Sequence, residues 1–243
     1  MSAQAGGDGL YRFDTGLVLG GAEQLPPWWA TVERNAQQTR EFDACLADEK
    51  ACSRRQRSLR RLLHRGAELD TKSKLQLVNR YLNRTDYKHD RRRNNPAGPT
   101  LRSAPLPESL AAPKATKKRK RAGEKAGEKK AKGKIPRSHW STLYEFLDSG
   151  GDCEDYASSK YFLLRQLGIP PEDMRVVVTY ETKLRGYHAV LAYRWPDNEV
   201  WLLESDNHIR KRSHSGYRYV YAVNEQGIWD YREDPTDNRK RRY

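Results

Sequence analysis

Gly151-Asp152-Cys153-Glu154-Asp155-Tyr156 sets one thiol among three carboxylates. A cysteine attacks a carbonyl carbon as its thiolate, so the surroundings that favour or oppose ionisation decide its use. Asp152 is a natural helix N-cap. Beyond it, Tyr161, Leu164 and Leu167, with Phe162 and Leu163 beside them, recur at about helical spacing. The pattern predicts a helix over 157–168 with Cys153 in its first turn. There the helix dipole and free backbone N–H groups favour the thiolate. The carboxylates of Asp152, Glu154 and Asp155 oppose it and raise the thiol pKa unless a cation, a metal or an imidazolium, neutralises them. A buried structural cysteine beside a helix cap is the non-catalytic reading of this segment alone.

The partners such a thiol needs lie downstream. His188 sits in Gly186-Tyr187-His188-Ala189-Val190-Leu191-Ala192-Tyr193, and Asp206 ends the run Trp201-Leu202-Leu203-Glu204-Ser205-Asp206-Asn207. Trp195-Pro196-Asp197-Asn198 between them is a turn signal. Two antiparallel strands joined there would bring His188 and Asp206 to the same end of a hairpin. His188 would take the thiol proton, and Asp206 would fix the imidazole tautomer. A lone histidine on a strand is more often structural; cysteine, histidine and aspartate in this order favour catalysis.

The elements that must position these residues follow a simple order. Residues 29–92 read as mainly helical, with Leu59, Leu62, Leu63, Leu69, Leu75, Leu77, Val78, Tyr81 and Leu82 as apolar faces among Arg and Lys. Strands are expected at 175–181, 187–195, 199–204 and 217–223. Helices first and an antiparallel sheet after them predict an α+β fold, with the cysteine helix at the join. The length suits one domain in two lobes. No internal repeat is present.

The sequence resembles the bacterial transglutaminase-like cysteine proteinases, including the LapG type, which releases biofilm adhesins from the cell surface. The resemblance rests first on Gly151 to Tyr156, continuing through Lys160-Tyr161-Phe162 and Leu164-Arg165-Gln166-Leu167-Gly168-Ile169-Pro170. It extends to His188-Ala189-Val190-Leu191, Asp206-Asn207, Val78-Asn79-Arg80-Tyr81-Leu82-Asn83, Trp140 before Glu145-Phe146, and Tyr221-Ala222-Val223-Asn224-Glu225-Gln226-Gly227. Two positions depart from the family pattern: Leu143 stands where a proline is expected, and Ser205 precedes Asp206 where a leucine is more usual.

The resemblance implies a papain/transglutaminase-like fold with an N-terminal helical lobe and an antiparallel sheet lobe, spanning 29–230, and a triad of Cys153, His188 and Asp206. It implies a calcium ion beside the cysteine. The candidate ligands are Asp152, Glu154 and Asp155, whose hard oxygens suit calcium; the alternative is that these acids only cap the helix. It further implies a protein substrate such as a large adhesin, an inner-membrane regulatory receptor and a periplasmic location. On one continuous helix Cys45 and Cys52 would lie about 10 Å apart, too far to bridge. A break between them, which Asp48 tolerates, would allow a pair, and the family's oxidising compartment favours one. No secretory signal is evident in the chain, so a cytoplasmic location stays open. No run of about 18 apolar residues occurs.

Residues 94–136 read as a linker. Asn94-Asn95-Pro96-Ala97-Gly98-Pro99 opens it, and between Lys114 and Lys134 eleven Lys/Arg stand against two Glu. That stretch supplies +9 of the formal net charge of +14, so the basic balance says little about the catalytic body. It has too few apolar residues to fold alone. A solvated loop is the expected reading; contact between 114–134 and nucleic acid or an anionic surface is the alternative. Residues 1–28 and 231–243 are expected to be flexible termini. Three functions compete: a calcium-dependent cysteine endopeptidase, a transglutaminase or amidase using the same triad, and a non-catalytic nucleic-acid or membrane binder using the basic run.

Overall fold

The computed structural model describes residues 17–88, 140–181 and 186–231. The basic segment 94–136, the first sixteen residues and the chain beyond Tyr231 lie outside the described residues, and so does every expectation that falls on them. Helices α1 (Pro26–Ala47), α2 (Arg54–Ala67) and α3 (Thr71–Leu82) come before α4 (Leu143–Ser149) and α5 (Cys153–Gln166). Among the described residues, seven strands form one antiparallel sheet. They are β1 (Leu17–Gly20), β2 (Met174–Glu181), β3 (Gly186–Arg194), β4 (Val200–Leu203), β5 (Ile209–Lys211), β6 (Tyr217–Val223) and β7 (Ile228–Asp230), in the order β1-β7-β6-β2-β3-β4-β5. The fold is α+β, as expected. No described helix is long and apolar enough to cross a membrane.

Helix starts are set by side-chain caps. Ser53 and Gln56 form a reciprocal capping box on α2, Thr142 and Glu145 form one on α4, and Asp70 accepts from Ser73 N at the start of α3. Each satisfies N–H groups that the helix itself leaves without partners. α5 is the central helix: every residue from Cys153 to Leu164 is buried. It packs on β2 and β3, with α3 and α4 beside it. Met174, Val176, Val178, Ala189, Leu191 and Leu203 belong to the core shared with the helices. The alternate residues Val177, Val190, Ala192 and Leu202 form a second cluster. This explains why the middle strands read as unbroken apolar runs: both of their faces are buried.

The fold begins earlier than residue 29. β1 pairs with β7, and Trp28 is fully buried, stacked on Phe162 at 5.6 Å and donating through Nε1 to Asn224 O at 2.9 Å. One indole thus ties α1 to α5 and to the β6–β7 turn. Truncating a buried tryptophan costs about 3–5 kcal/mol. Cys45 and Cys52 form a disulfide with Cα atoms 4.6 Å apart. The separation is short because α1 stops at Ala47, and Asp48 caps a 3-10 turn over Glu49–Ala51.

Candidate active site

Cys153 is the first residue of α5 and follows two glycines. Gly150 ends α4 at φ +71, and a Cβ there would lie 2.4 Å from Asp86 O, so only glycine lets the 86–88 segment approach. Tyr87 bridges Gly151, and Lys88 N donates to Gly151 O at 2.8 Å. The Tyr87 ring stacks on Tyr156 at 5.8 Å, and its hydroxyl reaches the Cys153 sulfur.

The thiol is buried, and its pKa is held well above the usual value. Burial is the largest cause; the charges of Glu154 and then Asp152 add to it, and the Ala189 backbone N–H on the sulfur opposes them. Glu154 Oε2 lies 3.3 Å from Cys153 Sγ. Burial first, and then Glu154, also push the Tyr221 phenol up. Asp155 is turned to structural work: Oδ1 accepts from Ser141 N at 2.7 Å and Oδ2 from Asp152 N at 3.0 Å. It fastens the start of α5 to the segment that leads into α4.

His188 lies on β3 next to Ala189, whose N–H meets the thiol. Its Nε2 is 3.1 Å from Oε2 of Glu204, not of Asp206. The other Glu204 oxygen accepts from Tyr217 Oη at 3.0 Å, and Arg210 Nε stands 3.7 Å from it. A carboxylate accepts only, so the imidazole proton sits on Nε2, which leaves Nδ1 as the basic nitrogen.

Asp206 is elsewhere. Extending the β3–β4 register beyond Leu191↔Leu203 would set His188 opposite Asp206, as the sequence suggests. The ladder stops at Leu203, however. Glu204 N donates to His208 O at 3.0 Å, and the chain turns into β5. Asp206 therefore stands at the turn, with its side chain 53% exposed against 4% for Glu204. It accepts from His208 N at 3.1 Å and pairs with His208 at 3.0 Å and Arg210 at 3.2 Å. Burial raises its pKa, but His208 and Arg210 outweigh this and hold it below the usual value. The structure thus brings Glu204, and not the expected Asp206, to His188. A signal for this was present: a leucine precedes Glu204, the residue type that Ser205 lacks before Asp206.

Asp152 and Glu154 are the acids whose chemistry fits a hard cation. Both are buried, 4% and 2% exposed, and both raise the thiol pKa. Among the described residues no group of three His, Cys, Asp or Glu side chains is arranged to hold a metal ion.

Residues 135–234 match the family model described as bacterial transglutaminase-like cysteine proteinase. No curated protein matches the chain. Among solved structures, calcium-bound LapG of Legionella pneumophila is similar at 22% identity, covering 79% of this chain and 86% of that one with a TM-score of 0.54. An EGTA-treated LapG structure is similar at 22% identity and TM-score 0.54, covering 78% of this chain and 85% of that one. Cys153, His188 and Glu204 thus all lie within the segment that matches the bacterial transglutaminase-like cysteine proteinases, a family of cysteine peptidases, and the chain shares the fold of LapG.

Proposed function

We propose that this protein is a calcium-dependent cysteine endopeptidase whose nucleophile is Cys153, with His188 as base and acid and Glu204 as the residue that orients His188. The observation that carries the reading is the contact of His188 with the buried Glu204, His188 lying on the strand whose Ala189 N–H meets the thiol. His188 Nδ1 takes the thiol proton, and the sulfur attacks a peptide carbonyl carbon. The imidazolium then protonates the leaving amine, which departs and leaves a thioester on Cys153. His188 next removes a proton from water, which attacks the thioester and releases the acid. Glu204 stabilises the imidazolium at each stage.

Asp152 and Glu154 would hold the calcium, with Asp155 behind them tied to backbone N–H groups. When bound, the ion would supply positive charge that offsets the two carboxylates, which add to burial in raising the thiol pKa. The similarity to LapG, whose structures include a calcium-bound and an EGTA-treated form, supports this assignment. A periplasmic location is part of the proposal, supported by the Cys45–Cys52 disulfide, since such bonds persist in oxidising compartments. A large surface adhesin as substrate and an inner-membrane receptor as regulator are what the family resemblance implies.

The test is digestion of a peptide library in water enriched in oxygen-18, with calcium or EGTA, by wild type and Cys153→Ala. New C-termini carrying the heavy oxygen, absent with EGTA and with Cys153→Ala, are expected. Cleavage by Cys153→Ala would overturn the reading. Amine-linked products in place of new acids would make the enzyme a transglutaminase.

A further inference from the structure

Lys160 is a buried cation that the proposed mechanism does not use. It lies on α5 about two turns beyond Cys153, is fully buried, and its Nζ donates to the main-chain oxygen of Glu204 at 2.5 Å. The same oxygen accepts from Nδ2 of Asn83, the C-cap of α3, at 2.9 Å. One turn earlier on that helix, Asn79 Nδ2 donates to Asn207 O at 3.0 Å and His208 O at 3.3 Å. Asn83 Nδ2 also reaches Asn79 Oδ1 at 3.3 Å, which links the two amides. Both ends of the turn that carries Glu204 are therefore clamped, one end from two helices.

An interior lysine is expensive to keep. Burying an ammonium costs several kcal/mol unless a counter-charge meets it closely. Burial lowers the Lys160 pKa to about 7, against the attraction of Glu204 and then Asp206. The Tyr156 ring lies 5.6 Å from Nζ. Satisfying the Glu204 carbonyl does not require this lysine, because Asn83 already donates to it. A methionine would fill the same volume without the desolvation cost. What Lys160 adds is a second fixed point on the residue whose carboxylate orients His188, reached from the same helix that carries the thiol.

We infer that Lys160, with Asn83 as its partner in the clamp, is a positioning residue that sets Glu204, and through it His188, in register with Cys153. The inference rests on the proposed triad. A displacement of about 1 Å in such a constellation can cost about 100-fold in rate.

The test uses a property of this chain: with Cys45 and Cys52 paired, Cys153 is its one free thiol, so iodoacetamide reports on it alone. Alkylation rates at one fixed pH and calcium concentration are compared for wild type, His188→Ala, Lys160→Met and Asn83→Ala, with Tm for each. We expect Lys160→Met to slow alkylation at least about tenfold while its Tm equals or exceeds that of wild type, and Asn83→Ala to slow it by a smaller factor. A merely structural lysine would not lower reactivity while stability holds or rises. Wild-type alkylation in Lys160→Met overturns the inference. So does slow alkylation with a lowered Tm if Asn83→Ala reacts at the wild-type rate. If His188→Ala also reacts like wild type, the triad itself fails, which is a separate result.

Discussion

His188 Nε2 lies 3.1 Å from Glu204 Oε2, while Tyr217 Oη donates to the other oxygen of the same carboxylate at 3.0 Å. The acid is thus held by one donor from β3 and one from β6, with little freedom to turn. Burial, and then Glu204, push the Tyr217 phenol up, so it remains a donor across the working pH range. Tyr217→Phe removes one of these bonds. A buried hydrogen bond to a charged group contributes about 1.5–3 kcal/mol, and the variant should lose stability of that order in urea unfolding. An unchanged midpoint would mean that water or Arg210 replaces the phenol.

Calcium should stabilise the fold. A ligand that binds only the folded protein adds about 2.7 kcal/mol at 100 times its Kd. For a domain of this size that corresponds to a Tm rise of roughly 5–10 °C. Glu154→Gln should abolish the rise. The same variant without calcium should react faster with iodoacetamide than calcium-free wild type, because removing the Glu154 charge lowers the thiol pKa. A slower reaction would mean that Glu154 does not govern the thiol.

The Cys45–Cys52 disulfide closes a short loop between α1 and α2, far in sequence from the catalytic residues. Chain-entropy arguments give about 2–3 kcal/mol for a loop of this length. Replacing both cysteines by alanine should lower stability by that amount in denaturant titration and leave kcat near the wild-type value. Loss of turnover without loss of stability would show a coupling between α1 and the site.

Lys160 gives a pH signature. Its pKa falls from 10.5 in the unfolded chain to about 7 in the fold, so between these values the unfolded chain carries a proton that the folded one has released. Stability therefore rises with pH across that window, and the penalty is fully present below about pH 7. Lys160→Met removes it. The variant should gain most over wild type near pH 6, by on the order of a few kcal/mol, and least near pH 10. An equal difference at both pH values would mean that Lys160 is not desolvated.

Much of this architecture was legible in the residues. Asp152 and the spacing of Tyr161, Leu164 and Leu167 placed Cys153 at a helix start, and four strands announced themselves through Val, Leu and Tyr runs long enough to show a pattern. β1, β5 and β7 span only three or four residues each, too few for alternation to register, and they are held by pairing with longer strands. The true end of β4 was hidden for a related reason. The hairpin turn after Trp195 is local, but the exit at Leu203 depends on Asn79, Asn83 and Lys160 gripping the next turn from distant helices. Without those contacts Asp206 looks equivalent to Glu204. The disulfide was obscured likewise, because no Gly or Pro marks the stop of α1 at Ala47.

In the proposed mechanism Glu204, rather than Asp206, completes a triad with Cys153 and His188. The most direct measurement is kcat/KM of Glu204→Gln and Asp206→Asn, side by side, on one peptide that the wild type cleaves. Glu204→Gln should lose about 100-fold or more, because the amide no longer stabilises the imidazolium. Asp206→Asn, altered at an exposed turn, should stay within about threefold of wild type. Full activity in Glu204→Gln together with a large loss in Asp206→Asn would contradict that mechanism.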